Sequence, residues 1–313
     1  PRRMIATIRR EHLPHTVYPP NTRYRAIRIR KEVSIMKKMI AMLLALVMAL
    51  SLAACGEKAN DDNNDNDTGN DTAKTELVLG TSADYAPFEF MYPDDSGEMV
   101  YGGIDVSVAK YIADEMGLSL EVENMGFDYL LTSLDKGDFD IVLAAMEAAP
   151  DRLENADFSD PYYTDVPPAI LVKADKADQY KTLADFNGKS VGAQTATTKL
   201  DMVNEMEGVT PVALQSVLDL VNELVYDKVD AILVDGGVAK EYAASNPDLV
   251  IADASAELGE AKPYCVAVAK GDPKGLLPAI NAAIAKMNEA NMLETFIADA
   301  GKLADVAVNV TAD

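Results

Sequence analysis

Beyond residue 54 this chain has no histidine; His12 and His15 both fall near its start. That excludes histidine general-base catalysis, Ser-His-Asp chemistry and histidine metal sites from the body of the protein, and no metal or other cofactor is expected. Cysteine is nearly as scarce, with only Cys55 and Cys265. Cys265 lies in the apolar run Tyr264–Ala269 and reads as a small buried residue. Basic residues are few where they matter. The chain holds 28 Lys and Arg against 51 Asp and Glu, and 11 of the bases but only 2 of the acids precede residue 55. Residues 55–313 therefore carry 17 bases and 49 acids, a formal charge of −32. Such a surface repels nucleic acid and anionic headgroups, so no nucleic-acid partner is expected.

Long apolar runs are also missing, with one exception. Met36–Ala54 reads as a secretory signal: Lys37 and Lys38 form the charged start, Met39–Leu52 the apolar stretch, and Ala53-Ala54 the small residues before cleavage. The run is short for a membrane span and is followed at once by a polar tract. Leu52-Ala53-Ala54-Cys55 resembles the lipobox of bacterial lipoproteins, which implies lipidation of Cys55 as the mature first residue. An internal disulfide is then impossible, and the protein is expected to be membrane-anchored through lipid on the extracytoplasmic face. Residues 1–35 carry eight Arg and one Lys ahead of a complete signal peptide, and translation is expected to start at Met36, with 1–35 an over-annotated leader. Residues 55–75 centre on Asp61–Asp67, have almost nothing apolar to bury and read as a disordered tether. No register there puts glycine sixth and an acid twelfth, as a calcium loop requires.

From Glu76 onward, short β runs alternate with amphipathic helices. Strands are predicted at Glu76–Gly80, Leu118–Val122, Asp140–Ala144, Ala169–Val172, Ser190–Ala193, Asp230–Val234, Leu249–Ile251 and Tyr264–Ala269. Helices fit Ile104–Met116, Phe127–Leu134, Thr198–Met206, Ser216–Tyr226, Val238–Ser245 and Lys274–Glu289. The alternation predicts an α/β fold with largely parallel sheets, whose ligands sit at the carboxyl ends of strands.

Several segments, in order, resemble the family 3 bacterial solute-binding proteins, the amino-acid receptors of ABC importers. They are Gly80–Phe90, Gly103–Ala109, Arg152 with Asp157–Tyr163, Val191–Thr198, Asp230–Asp235 and Ala267–Asp272. The resemblance spans roughly Glu76 to Ile297. It implies a type II periplasmic-binding-protein fold, two α/β lobes joined by two crossing segments: lobe one from 76–163 plus 262–313, lobe two from 164–261. It also implies an ABC transporter permease as partner and a monomer without catalytic activity.

The chemistry of the matching residues suits a free amino acid. Burying its carboxylate and ammonium demands opposite partners. Arg152 can grip a carboxylate with two parallel hydrogen bonds. Thr197 and Thr198 open a predicted helix, where free N–H groups favour an anion. Asp235 ends a predicted strand and can take the ammonium. These are the roles the family gives the matching positions, and it places aromatic rings at Tyr85 and Phe127 against the ligand side chain. Three residues depart from the pattern: Glu147 replaces a ligand-binding Ser or Thr, Ala149 a Thr, and Ala196 a Gly. Glu147 facing the cleft leans towards a cationic ligand; paired with Arg152, it would instead blunt carboxylate binding. Ser82, where receptors for basic amino acids often carry Asp, and the neutral amide of Gln194 lean the other way. An enzyme on the same fold, such as a cyclic amino-acid dehydratase using Glu147, Asp84 or Asp235, is the alternative. A sensory domain would need a transmembrane or signalling segment, and none follows Lys270.

Overall fold

The computed structural model describes residues 75–310; the leader, the signal peptide, Cys55 and all of the tether but Thr75 lie outside the described residues. The first strand, β1 (Glu76–Thr81), turns Leu77 and Leu79 into the core, each contributing roughly 1.5–3 kcal/mol by full burial. It runs parallel to β5 (Ser119–Asn124) and β6 (Ile141–Val142), and the sheet is completed by β13 (Pro263–Ala269) and β7 (Ala156–Thr164), both antiparallel to their neighbours. The strand order is β5-β1-β6-β13-β7. A second sheet has the order β10 (Thr210–Leu214), β9 (Ser190–Gln194), β11 (Ala231–Val234), β8 (Ala169–Lys173), β12 (Leu249–Ile251). Its first three strands are parallel, while β8 and β12 run against their neighbours. The largely parallel sheets expected from the alternation are thus mixed, because a strand enters each sheet directly from the other without a helical crossover. The chain leaves the first sheet between β7 and β8 and returns before β13.

Helix α1 (Ile104–Glu115) shows how a sequence motif becomes local structure. Ile104, Val108 and Ile112 share its buried face. Its first free N–H groups donate to strand-loop carbonyls: Ile104 to Pro87 at 3.1 Å and Asp105 to Phe88 at 2.9 Å. Gly103 makes this docking possible. Its φ is +123°, and a Cβ there would lie 2.1 Å from the Phe88 carbonyl oxygen. Phe88 then packs edge-to-face on Tyr264 (5.3 Å) and Tyr163 (5.6 Å), which are register partners on β13 and β7, the two strands that carry the chain between sheets.

Some elements differ from the sequence expectation. The hairpin strands β2 (Asp84–Tyr85), β3 (Glu89–Pro93) and β4 (Met99–Gly102) lie in a stretch to which the sequence reading assigned no strand. Strand β7 carries Asp157, Asp160 and Pro161, which break the apolar alternation, and β10 is an edge strand with an exposed Pro211. The segment from Phe127 begins as a 3₁₀ turn and becomes α2 (Leu130–Lys136). The further helices are α3 (Pro150–Leu153), α4 (Thr198–Glu205), α5 (Val217–Val225), α6 (Gly236–Ser245), α7 (Leu277–Glu289) and the unpredicted α8 (Met292–Val310), which packs on β3 and α1.

Two features carry energetic consequences. Docking of α1 buries Asp105 beside Glu89. Burial pushes Asp105 up to about 7, against the lowering effect of the hydrogen bond from the Ala145 N–H at 2.7 Å. Burial and the Asp105 charge hold Glu89 well above the usual carboxylate range, so a protonated Glu89 can donate to Asp105. Between roughly pH 4 and 7 the folded protein therefore holds a proton at Asp105 that the unfolded chain has lost, and stability from this group falls as pH rises through that window. Denaturant titrations at several pH values should show a shallower decline over that window for Asp105→Asn than for the native sequence. The second feature is Ala196, in the turn between β9 and α4, with φ at +61°. Glycine adopts this conformation without the Cβ clash, so Ala196→Gly should raise the unfolding free energy by about 1 kcal/mol, read as a higher denaturation midpoint.

Candidate functional site

The two sheets meet where parallel strands end. Asp84 and Tyr85 follow β1; Ala144, Ala145 and Glu147 follow β6; Gln194 to Lys199 follow β9; and Asp235 follows β11. This convergence of carboxyl ends is where open α/β sheets place ligands. Arg152 joins from α3, whose first turn starts with Pro150. Together these residues form a small cavity lined by Tyr85, Phe127, Glu147, Arg152, Gln194, Thr197, Thr198 and Asp235. Of the ligand-facing residues selected from sequence, only Ser82 is outside the lining. It is buried, and its carbonyl accepts from the Asp84 N–H at 2.8 Å.

Arg152 is only 7% exposed. Nη1 donates to the Glu147 carbonyl at 3.0 Å and Nη2 to the Ala196 carbonyl at 3.2 Å, while the guanidinium lies 5.2 Å from the centre of the Phe127 ring. Burial draws its pKa down, against the carboxylates of Glu147, Asp151 and Asp235. Among the described residues no carboxylate pairs with it. Glu147 does face the cavity, but its carboxylate does not pair with Arg152. Its partner is Lys199, whose Nζ lies 2.6 Å from Oε1.

Lys199 is a charged residue of the lining that the sequence reading missed. It is 6% exposed, and its ammonium binds both Glu147 and Asp235, with Thr198 Oγ1 at 3.3 Å. Burial works to lower its pKa, but Asp235 and Glu147 together outweigh that and the net shift is upward. A signal was available: Lys199 is the second residue of α4, where the helix dipole disfavours a cation, in a chain short of bases. Asp235 also accepts from the Tyr85 hydroxyl at 2.7 Å, and its own N–H donates back to that oxygen at 3.0 Å. Burial and Asp235 push the Tyr85 hydroxyl well up, so it stays a donor. Thr197 caps α4, accepting from the Leu200 N–H at 3.2 Å and donating to the Gln194 carbonyl at 2.6 Å. Gln194 donates to the Gln215 carbonyl at 2.9 Å. Glu89, Ala144 and Ala145 complete the lining, and Ala145, like Ala196, has positive φ.

The free space in this cavity, with Lys199 part of its lining, is about 20 Å³, roughly one water molecule's worth. Beside it opens a groove of about 1040 Å³ that Glu147, Thr198, Lys199 and Asp235 also line, with Asp151, Asp201, Glu205 and Glu260 further out. At the rim, Asp84 accepts from the Val217 N–H at 2.9 Å, and Gln215 donates to Asp128 at 3.0 Å and to the Tyr129 hydroxyl at 3.3 Å. The three carboxylates considered as acid or base groups are thus held by Lys199 or by the N-terminus of α5. Among the described residues no group of His, Cys, Asp and Glu gathers to hold a metal, and no helix is long and apolar enough to cross a membrane.

Residues 77–298 match the model of the bacterial extracellular solute-binding proteins, family 3. The chain is 38% identical over 190 residues to the arginine-binding extracellular protein ArtP of Bacillus subtilis, covering 59% of this chain and 71% of that one. It is 29% identical over 230 residues to a probable histidine-binding protein of Campylobacter jejuni, covering 72% and 85%. Among solved structures it superposes with TM-score 0.70 and 33% identity on AbpA, an amino acid ABC transporter substrate-binding protein of Streptococcus pneumoniae bound to L-arginine, covering 74% of this chain and 96% of that one. The fold is that of the type II periplasmic binding proteins, and the chain belongs to family 3 of the bacterial extracellular solute-binding proteins.

Proposed function

We propose that this protein is an extracytoplasmic receptor that binds a free amino acid, with arginine the first candidate, and delivers it to the permease of an ABC importer. The observation that carries this reading is the buried Arg152 guanidinium, which lacks a carboxylate partner among the described residues and shares a cavity with Glu147 and Asp235. A ligand carboxylate would complete Arg152. The ligand's ammonium would go to Asp235, with Tyr85 holding that carboxylate in place. Glu147 adds a second negative charge, which favours a cationic ligand, and the arginine-binding relatives support the same choice. Residues 76–163 with 262–313, and 164–261, would act as two lobes that clamp the ligand, since only closure lets both sets of residues bind it at once. The receptor is a monomer in this reading, with no catalytic step.

A thermal-shift screen of residues 76–313 against free amino acids tests this directly. Arginine should raise the melting temperature, and by more as its concentration exceeds Kd. Truncating one partner of a buried charge pair costs about 2–5 kcal/mol, so Arg152→Ala and Asp235→Ala should each weaken binding by roughly 30-fold or more. A shift that survives both changes would place the ligand elsewhere. Lipid on Cys55 would keep the receptor near its permease. Cys55→Ser in the full precursor should move the protein from the membrane fraction to the medium or periplasm, read by fractionation and immunoblot.

A further inference from the structure

We propose that Lys199 is an internal stand-in for the ligand's ammonium: it occupies the subsite between Glu147 and Asp235, ties the two lobes together without ligand, and must be displaced for an amino acid to bind. This deepens the receptor reading and rests on it. The ammonium of Lys199 engages Asp235, the partner proposed for the ligand ammonium, together with Glu147, the second negative charge a cationic ligand would draw on. Glu147 follows β6 of the first sheet, whereas Lys199 and Asp235 belong to the second, so the Lys199–Glu147 contact crosses the cleft. The free space left is far too small for an amino acid alongside Lys199. The side chain has somewhere to go, because it already lines the adjoining groove, where Asp151, Asp201, Glu205 and Glu260 offer solvated negative charge.

Displacement also sets selectivity. With Lys199 inside, Arg152 and Lys199 balance Glu147 and Asp235. With Lys199 outside, the site is left one charge negative, which complements an amino acid whose side chain carries a positive charge and penalises a neutral one. Lys199 is therefore a specificity-determining residue: its departure is what turns a neutral cavity into a cation-selective one.

Two measurements on Lys199→Met test the proposal. Calorimetric titration with L-arginine should show at least about tenfold tighter binding than in the native protein, because no resident ammonium has to leave. The same titration with 5-guanidinopentanoate, arginine without its α-amino group, should gain clearly less than arginine does, because this ligand needs the vacated space but brings no ammonium to Glu147 and Asp235. Equal changes for both ligands, or weaker arginine binding in the variant, would overturn the proposal. Small-angle scattering of the ligand-free proteins gives an answer that needs no ligand: the native protein should be compact and Lys199→Met expanded. Identical radii of gyration would overturn the latch. If no amino acid binds either protein, the receptor reading fails, while scattering still judges Lys199. Should Lys199→Met fail to fold because two carboxylates are left unpaired, Glu147→Gln with Lys199→Met removes one of those charges and the same comparisons apply.

Discussion

Charge buried between the two sheets must be balanced there, and the geometry of the cleft follows from that constraint. Asp235 sits at the end of β11 with almost no access to water. An isolated carboxylate in such a place is untenable. It is held by the Tyr85 hydroxyl from one sheet and the Lys199 ammonium from its own. Lys199 in turn draws in Glu147, and the Glu147 carbonyl takes one arm of Arg152. Each link is a hydrogen bond or ion pair that costs little once its neighbour is in place and much if the neighbour is missing. The cluster therefore behaves as one unit, and the sheets approach each other as closely as it allows.

Much of this was legible in the residues before any coordinates. β1, β9 and β11 are short apolar runs ended by Gly, Thr or Asp, and their carboxyl ends carry the residues that converge. Arg152, Asp235, Tyr85 and Phe127 were found because the motifs around them have a fixed order. Other elements gave no such signal. β10 has an edge position with an exposed proline, so its apolar pattern is weak. α8 continues past Ile297, where the family resemblance stops, and its buried face is built from small residues such as Ala300 and Ala304.

The errors in the site have a common cause. Sequence spacing tells which loop carries a side chain but not which partner across the cleft it meets. Glu147 was weighed against Arg152, five positions away in α3, and instead found Lys199 on α4 across the cleft. Lys199 itself reads as an ordinary surface charge at the start of a helix. Ser82 lies in the right motif, yet it is buried outside the cavity lining, next to the turn whose Asp84 makes the rim contact with α5. Long-range pairing of charges is fixed by the closed geometry, and a local pattern carries no record of it.

The rim contacts made by Asp84, Gln215 and Tyr129 involve residues outside the cavity lining, and this separates two properties that are easily confused. A cargo molecule does not have to supply the whole free energy of bringing the halves together, because the rim contributes part of it whatever is inside. Apparent affinity then scales with the fraction of molecules already poised to clamp. Strengthening or weakening the rim would multiply the dissociation constants of all cargoes by one common factor and leave their ranking to the cavity. Affinity and discrimination in such a receptor can drift independently, the first through residues that never touch what is carried.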